Sequence, residues 1–340
     1  MFSVAVTAPS ELEVIEIPEP KPGPYEVKIK NEAGLICNAT DRKLVEGYFP
    51  GVDTFPFLLG HETIGIVEAI GEKVRNFQVG DRVIGGLLLN TTDDRYHSGW
   101  GGFSQYTLAG DHFAMLEDGV ESIEVYEIMR PVPKSIALED AVMLCMWREI
   151  YGAFDDFYLK AGDDILIYGD GPISLSFVKF ARLLGLNEVY LVGKYQSKLD
   201  KAREMGATDV FMVDSAELNA LFEKRGKLFD AVIDGVGKVS IINEAIPQVK
   251  MGGSVCVYGV VDAPSMELLH HTGPYNFNLL LHQWPTRSRE RAAQEPLIEW
   301  IQSGKLSYRE FLSGEYSIHE ISAAYAFSKT KDSIKTLLRF

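Results

Sequence analysis

The chain has 340 residues, 46% of them apolar and 24% charged, with a formal net charge of −15. That length suits two domains rather than one, the composition is that of a globular protein, and an acidic surface argues against nucleic acid or an anionic membrane as partner. No apolar run is long enough to span a bilayer and no basic region followed by an apolar core heads the chain. Its three cysteines, Cys37, Cys145 and Cys256, are too few for a disulfide framework, and together these features predict a cytoplasmic protein with free thiols.

The first third reads as short strands and turns. Val14–Ile17 runs into the breakers Pro18, Pro20, Pro22 and Pro24, and Tyr25–Lys30 alternates as a half-buried strand does. An apolar run ends at Cys37, followed by the polar Asn38, Thr40 and Asp41, so Cys37 is expected to open onto a cleft rather than lie in the core. Residues 63–70, 82–88 and 103–109 are further short strands, and glycine punctuation among them suggests a small barrel-like β domain. Asn90–Gly102 is a polar, glycine-rich loop without cysteine. Leu138–Ala141 opens a helix that leads to Cys145 and Trp147.

From about residue 160 the period changes. Strands are expected at 164–168, 189–192, 210–213, 231–234 and 254–258, each separated by a helical pattern, which means βαβ units and a parallel sheet. The expected division is 1–149 with 286–340 as one domain and 150–285 as the other. The last stretch carries helical patterns at 288–303 and 318–330. Its final strand, Lys335–Leu338, should return to the first domain.

Two stretches carry chemistry. Leu58-Leu59-Gly60-His61-Glu62 places an imidazole beside a carboxylate ahead of a strand, and neutral imidazole is a good zinc ligand. Cys37, His61 and Cys145 are the three residues able to hold one zinc, in the two-thiolate, one-imidazole set that leaves a fourth position open. The second stretch is Gly169-Asp170-Gly171-Pro172-Ile173-Ser174, after a buried strand and before a helix. Glycines there let backbone approach a pyrophosphate seated on the helix N-terminus. The end of the next strand, Val192-Gly193-Lys194, lacks the acid that would bind a ribose 2′-hydroxyl, and Lys194 lies close to where a 2′-phosphate would sit. This favours NADP over NAD. Cys256 is expected in the core, and His270 and His271 in solvent.

These residues resemble the medium-chain dehydrogenase/reductases, specifically the zinc-containing alcohol and polyol dehydrogenases, over the whole chain. The resemblance rests on Gly60-His61-Glu62 with Gly65, Val67 and Gly71, on Gly80-Asp81-Arg82-Val83, on the Gly169–Ile173 turn, and on Lys201–Ala207. Trp284-Pro285 is similar to a pair in sorbitol dehydrogenases. It implies an α/β chain: a Rossmann-type parallel-sheet domain plus a GroES-like β-barrel catalytic domain. By resemblance Cys37, His61 and Cys145 match the catalytic zinc positions, Glu62 matches a carboxylate able to swing onto the metal, and Thr40 matches the hydroxyl that passes the substrate proton outward. Gly169, Gly171, Pro172, Ile173 and Lys194 would bind the dinucleotide, with its nicotinamide near Val236 and Gly259. A homodimer or homotetramer is implied, acting on a small alcohol or ketone. The chain departs from the family in having one more residue between Cys37 and Thr40-Asp41, in lacking the four-cysteine lobe of a structural zinc, and in Ser174 replacing a glycine. Aligned on Thr40-Asp41 instead, Asn38 would fall at the cysteine position.

Tyr48, Phe49, Trp100, Trp147, Arg148, Glu149 and His282 are candidates to line the substrate site. Arg148 and Glu149 point to a polyol, sugar or cyclitol, or else form a surface salt bridge. The rival readings are a zinc-free quinone or enone reductase, which would not need the Cys/His set, and a non-catalytic dinucleotide-binding protein.

Overall fold

The computed structural model describes every residue except Asp53, Gly226, Lys227 and Asp262. The chain forms two compact units, Met1–Met146 with Gln294–Phe340, and Trp147–Ala293. The helix Leu138–Asp156 carries the chain from the first unit into the second. Among the described residues no helix is long and apolar enough to cross a membrane.

The first unit is built on strand Glu26–Ile36. It pairs antiparallel with Thr63–Ile70 and Tyr106–Gly110, and its last residues pair with the final strand, Lys335–Arg339. That last pairing realises the expected return of the C-terminus. The alternating Val27 and Ile29 face a core, and Ala33, Leu35 and Ile36 are buried almost completely, so the strand passes from half-buried to fully buried as it nears Cys37. A second sheet runs in the order Glu11–Glu16, Phe2–Ala8, Phe57–Leu58, His97–Ser98.

The second unit holds six parallel strands in the order Asp209–Met212, Val189–Gly193, Ile165–Tyr168, Phe229–Asp234, Val249–Val257, Asn278–Leu281. Numbered along the chain this is 3-2-1-4-5-6, the doubly wound order whose switch point lies beside the first strand. The apolar runs make continuous buried strands because helices cover the sheet, and Phe177, Val232 and Cys256 are fully buried.

Several elements differ from expectation. The segment 288–303 is two helices, Arg287–Ala292 and Gln294–Gln302. Pro296 has no N–H for the carbonyl four residues back, which breaks the ladder at that point. Segment 318–330 opens as the tight turn Ile318–Glu320 before the helix Ile321–Ser328. A short helix, Thr40–Glu46, follows Cys37 directly, where no helix was expected.

The loop 97–103 is laced onto the residues before His61. Gly102 N donates to Gly60 O at 2.7 Å, Phe103 N to Leu59 O at 2.9 Å and Gly101 N to Leu58 O at 3.2 Å. Gly60 sits at φ +104°, and a Cβ there would lie 2.3 Å from Phe103 Cγ and 2.6 Å from its backbone nitrogen. Phe103 is fully buried and cannot give way. Left-handed strain and overpacking each cost about 1–3 kcal/mol. Gly60→Ala should therefore lower stability by at least that much, read as a fall in urea midpoint at unchanged slope. A midpoint within error of the parent would contradict this packing.

Candidate active site

In the first unit, Cys37 follows strand Glu26–Ile36 and His61-Glu62 precedes strand Thr63–Ile70, its antiparallel partner. Antiparallel pairing brings the end of one strand beside the start of the other. The ligand atoms of Cys37, His61 and Glu62 consequently all lie within 4.8 Å of one another. A thiol, an imidazole and a carboxylate are the donor types that zinc takes, so the residues fit that metal.

What orients them is Asp41, fully buried in the first turn of Thr40–Glu46. Its Oδ2 accepts from the backbone N of Cys37 at 2.8 Å, and its Oδ1 lies 3.2 Å from His61 Nδ1. The second contact is close but off-line for a hydrogen bond. Residues 38 and 39 form a turn between Cys37 and the helix, and Asn38 Nδ2 anchors that turn to Ser328 O at 3.2 Å. Cys37, not Asn38, thus stands at the cluster. Burial lowers the pKa of His61, but the Asp41 carboxylate and the Cys37 thiol override it and hold the imidazole well above its usual value.

Glu62, also buried, is held by Lys335, whose Nζ lies 2.9 Å from Oε1 and 2.8 Å from Oε2. Lys335 is 1% exposed at the start of the final strand. Burial alone would lower its pKa, and Glu62 outweighs that, with Cys37 and Asp41 adding to it, so the ammonium stays above its usual value. Neither Asp41 nor Lys335 was singled out from the sequence. Asp41 was readable as an acid four residues after Cys37; nothing local marks Lys335.

Cys145 is not in the group within 4.8 Å. It is buried on the helix Leu138–Asp156, and its thiol donates to Thr63 O at 3.6 Å, one residue beyond Glu62. Thr40 is half-buried as the first residue of its helix. Trp100 sits edge-on to His61 with ring centroids 5.3 Å apart, and Phe49 packs edge-on to Trp100 at 5.6 Å. Trp100 has φ +68°, a left-handed backbone that a bulky residue adopts only where its surroundings impose it. Tyr48 is exposed.

In the second unit the turn Gly169–Gly171 joins the central strand to the helix Pro172–Leu183. No side chain caps that helix, Pro172 occupies its first turn, and a Cβ on Gly171 would meet nothing within 4 Å. Open space over a bare helix N-terminus is what a pyrophosphate needs. Ser174 fits in place of glycine because its hydroxyl fills the space that side chains at Gly169 and Gly235 would take; Cβ atoms there would fall 2.8 and 2.4 Å from Ser174 Oγ. Ile173 is half-buried in the same first turn. Val236 and Gly259 do lie together at the strand ends, since a Cβ on Gly259 would be 2.3 Å from the carbonyl carbon of Val236. Lys194 is exposed just past Val189–Gly193.

Four substrate-site candidates lie in this unit. Arg148, 1% exposed, lies 3.8 Å from Glu290, which also binds Arg287 at 2.8 Å. Arg148 is therefore not a surface charge: its guanidinium lies beside the buried Glu290. Trp147 is fully buried and Glu149 half-buried. His282 lies 3.2 Å from Asp156 and edge-on to Phe157.

Residues 23–117 match the alcohol dehydrogenase GroES-like domain and residues 172–283 the zinc-binding dehydrogenase domain. The NADP-dependent isopropanol dehydrogenase of Thermoanaerobacter brockii is 30% identical over 71% of this chain and 70% of its own. The sorbitol dehydrogenase of Halalkalibacterium halodurans is 29% identical over 96% of this chain and 94% of its own. The solved short chain alcohol dehydrogenase (rspB) from E. coli CFT073, complexed with NADH, is 21% identical with a TM-score of 0.82, covering 100% of this chain and 99% of that one. With the paired domains and these relatives, the chain belongs to the zinc-containing alcohol dehydrogenases of the medium-chain dehydrogenase/reductase family.

Proposed function

We propose that this alcohol dehydrogenase family member holds one zinc and moves hydride between a nicotinamide dinucleotide and a secondary alcohol or its ketone. The observation that carries the reading is the convergence of Cys37, His61 and Glu62 within 4.8 Å. A zinc-free quinone or enone reductase, or a protein that only binds dinucleotide, has no use for that donor set.

Cys37 and His61 would hold the metal, with Cys145 as the third protein ligand once its thiol leaves Thr63 O. Glu62 is the alternative ligand, kept back by Lys335. Bound zinc would act as a Lewis acid that lowers the pKa of the substrate hydroxyl. The Asp41 carboxylate faces Nδ1 of the imidazole, which would leave Nε2 for the metal. Thr40 takes the substrate proton and passes it outward. In the second unit, the backbone of Gly169–Gly171 and the helix beginning at Pro172 receive the pyrophosphate, and Val236 and Gly259 lie at the strand ends where the nicotinamide is read. The three cysteines are free thiols, which suits a reducing cytoplasm.

For the substrate, the polyol, sugar or cyclitol reading rests on the sorbitol dehydrogenase relative. Arg148 adds no support to it, being 1% exposed and beside the buried Glu290. A second reading, a small apolar secondary alcohol, is favoured by the aromatic wall that Trp100 and Phe49 set against His61. Initial rates with sorbitol, a cyclitol, 2,3-butanediol and 2-propanol decide between the two. Turnover of none of them would sink the proposed reaction.

Metal analysis should find about one zinc per chain. Cys37→Ser should lose it, while dinucleotide binding in the second unit stays intact. Asp41→Asn keeps the shape but removes the charge behind His61, and should weaken zinc affinity by about 10–100-fold. Full zinc occupancy in Cys37→Ser would remove Cys37 from the site.

The raised His61 pKa adds a pH dependence. Zinc binds neutral imidazole and must displace its proton. Apparent zinc affinity, measured by chelator competition, should therefore fall with falling pH from a point above the usual histidine value of about 6.5. The slope should reach at least about tenfold per pH unit. Asp41→Asn should move the onset to lower pH; an unmoved onset would refute the role of the Asp41 charge.

A further inference from the structure

We infer that Asp170, in the middle of the glycine turn, selects the dinucleotide: it supplies from a neighbouring loop the acid missing from the end of the second strand, and so favours NAD, whose adenosine ribose carries a free 2′-hydroxyl. The inference rests on the proposed dinucleotide site and reverses the preference read from Lys194.

In a doubly wound sheet of this order, an acidic side chain at the end of the second strand meets the ribose 2′-hydroxyl. Here that strand, Val189–Gly193, ends in a glycine. The space a side chain would occupy there is already filled. A Cβ on Gly193 would lie 2.7 Å from Asp170 Cβ and 2.9 Å from Asp170 Oδ2. The carboxylate thus stands at the strand end although its residue belongs to the preceding turn, and Gly193 is the residue type that allows it.

The carboxylate is also fixed. Its Oδ2 accepts from Lys194 N at 2.6 Å and from Tyr195 N at 2.9 Å, charge-assisted bonds of the strong kind. Both bonds run to Oδ2, which leaves Oδ1 for a hydroxyl donor. Asp170 is half-buried, so a ligand can reach it. A ribose 2′-hydroxyl donates to such an oxygen. A 2′-phosphate carries only acceptors and negative charge, and would face a carboxylate that two backbone amides hold in place. Lys194 is the opposing charge, but its side chain is exposed to solvent. A fixed charge at the contact outweighs a flexible, hydrated one beside it.

The test is direct binding of NAD and NADP to the full chain, followed by calorimetry and independent of turnover. The parent protein should bind NAD at least about tenfold more tightly than NADP, a difference of about 1.4 kcal/mol. Asp170→Asn keeps an oxygen for the two backbone amides and removes the charge; it should shift the NAD-to-NADP affinity ratio toward NADP by about tenfold or more. The double variant Asp170→Gly, Gly193→Asp returns the acid to the strand itself and should restore NAD preference, which a merely structural role for Asp170 would not do. Tighter binding of NADP by the parent, or an unchanged ratio in Asp170→Asn, overturns the inference while leaving the dinucleotide site standing. Binding of neither dinucleotide overturns both.

Discussion

The first unit depends on one buried carboxylate. Asp41 has no exposure, and its two oxygens serve two different elements, the backbone of Cys37 and the ring of His61. A carboxylate withdrawn from water is tolerated only when its charge is met. The groups that meet it are those that have to be in register for a metal to be held. The same interaction therefore satisfies a charge and sets a geometry. Behind it stands a second buried pair, Glu62 with Lys335. Removing one member of either pair leaves a charge stranded, so the two pairs stabilise each other's placement.

The sheet explains why these groups meet. Strand Glu26–Ile36 ends at the cluster, Thr63–Ile70 begins there, and Lys335–Arg339 starts beside both. Three strand termini converge, and each contributes a side chain at its first or last turn. The loop 97–103 then closes over the residues before His61 through backbone bonds that require Gly60 to be left-handed and without a side chain. The lacing also brings Trp100 against the imidazole.

The parts of this arrangement that are periodic or contiguous could be read from the sequence. The alternation of strand and helix after residue 160, the glycine turn, and His61-Glu62 ahead of a strand are local patterns, and the structure has them where local patterns put them. Other features are partnerships across the chain. Lys335 and Glu62 are separated by 273 residues, and nothing near Lys335 marks it as buried. Arg148 followed the same logic in reverse: beside Glu149 it looked like a surface or substrate-facing charge, and the partner that claims it is Glu290. The break at Pro296 was legible in principle, since the missing N–H is a property of the residue. The helix Thr40–Glu46 was hidden by its brevity and by the absence of a side-chain cap at Ala39.

The two sites share one logic. At the metal cluster a turn at 38–39 lets Asp41, four residues on, reach back to Cys37. At the dinucleotide turn the acid is absent from the strand end, and Asp170 reaches the same place from another loop. In both cases the carboxylate stands where the charge is needed although the residue order differs. Backbone amides decide the outcome each time: Cys37 N for one acid, Lys194 N and Tyr195 N for the other. Amides have no side chain to vary, so an acid can change its position in the sequence and still be caught at the same position in space. A strand-end residue read alone misses one of the two charges at this site: Lys194 is the group next in sequence and is exposed, whereas Asp170 is the group packed against Gly193 in space.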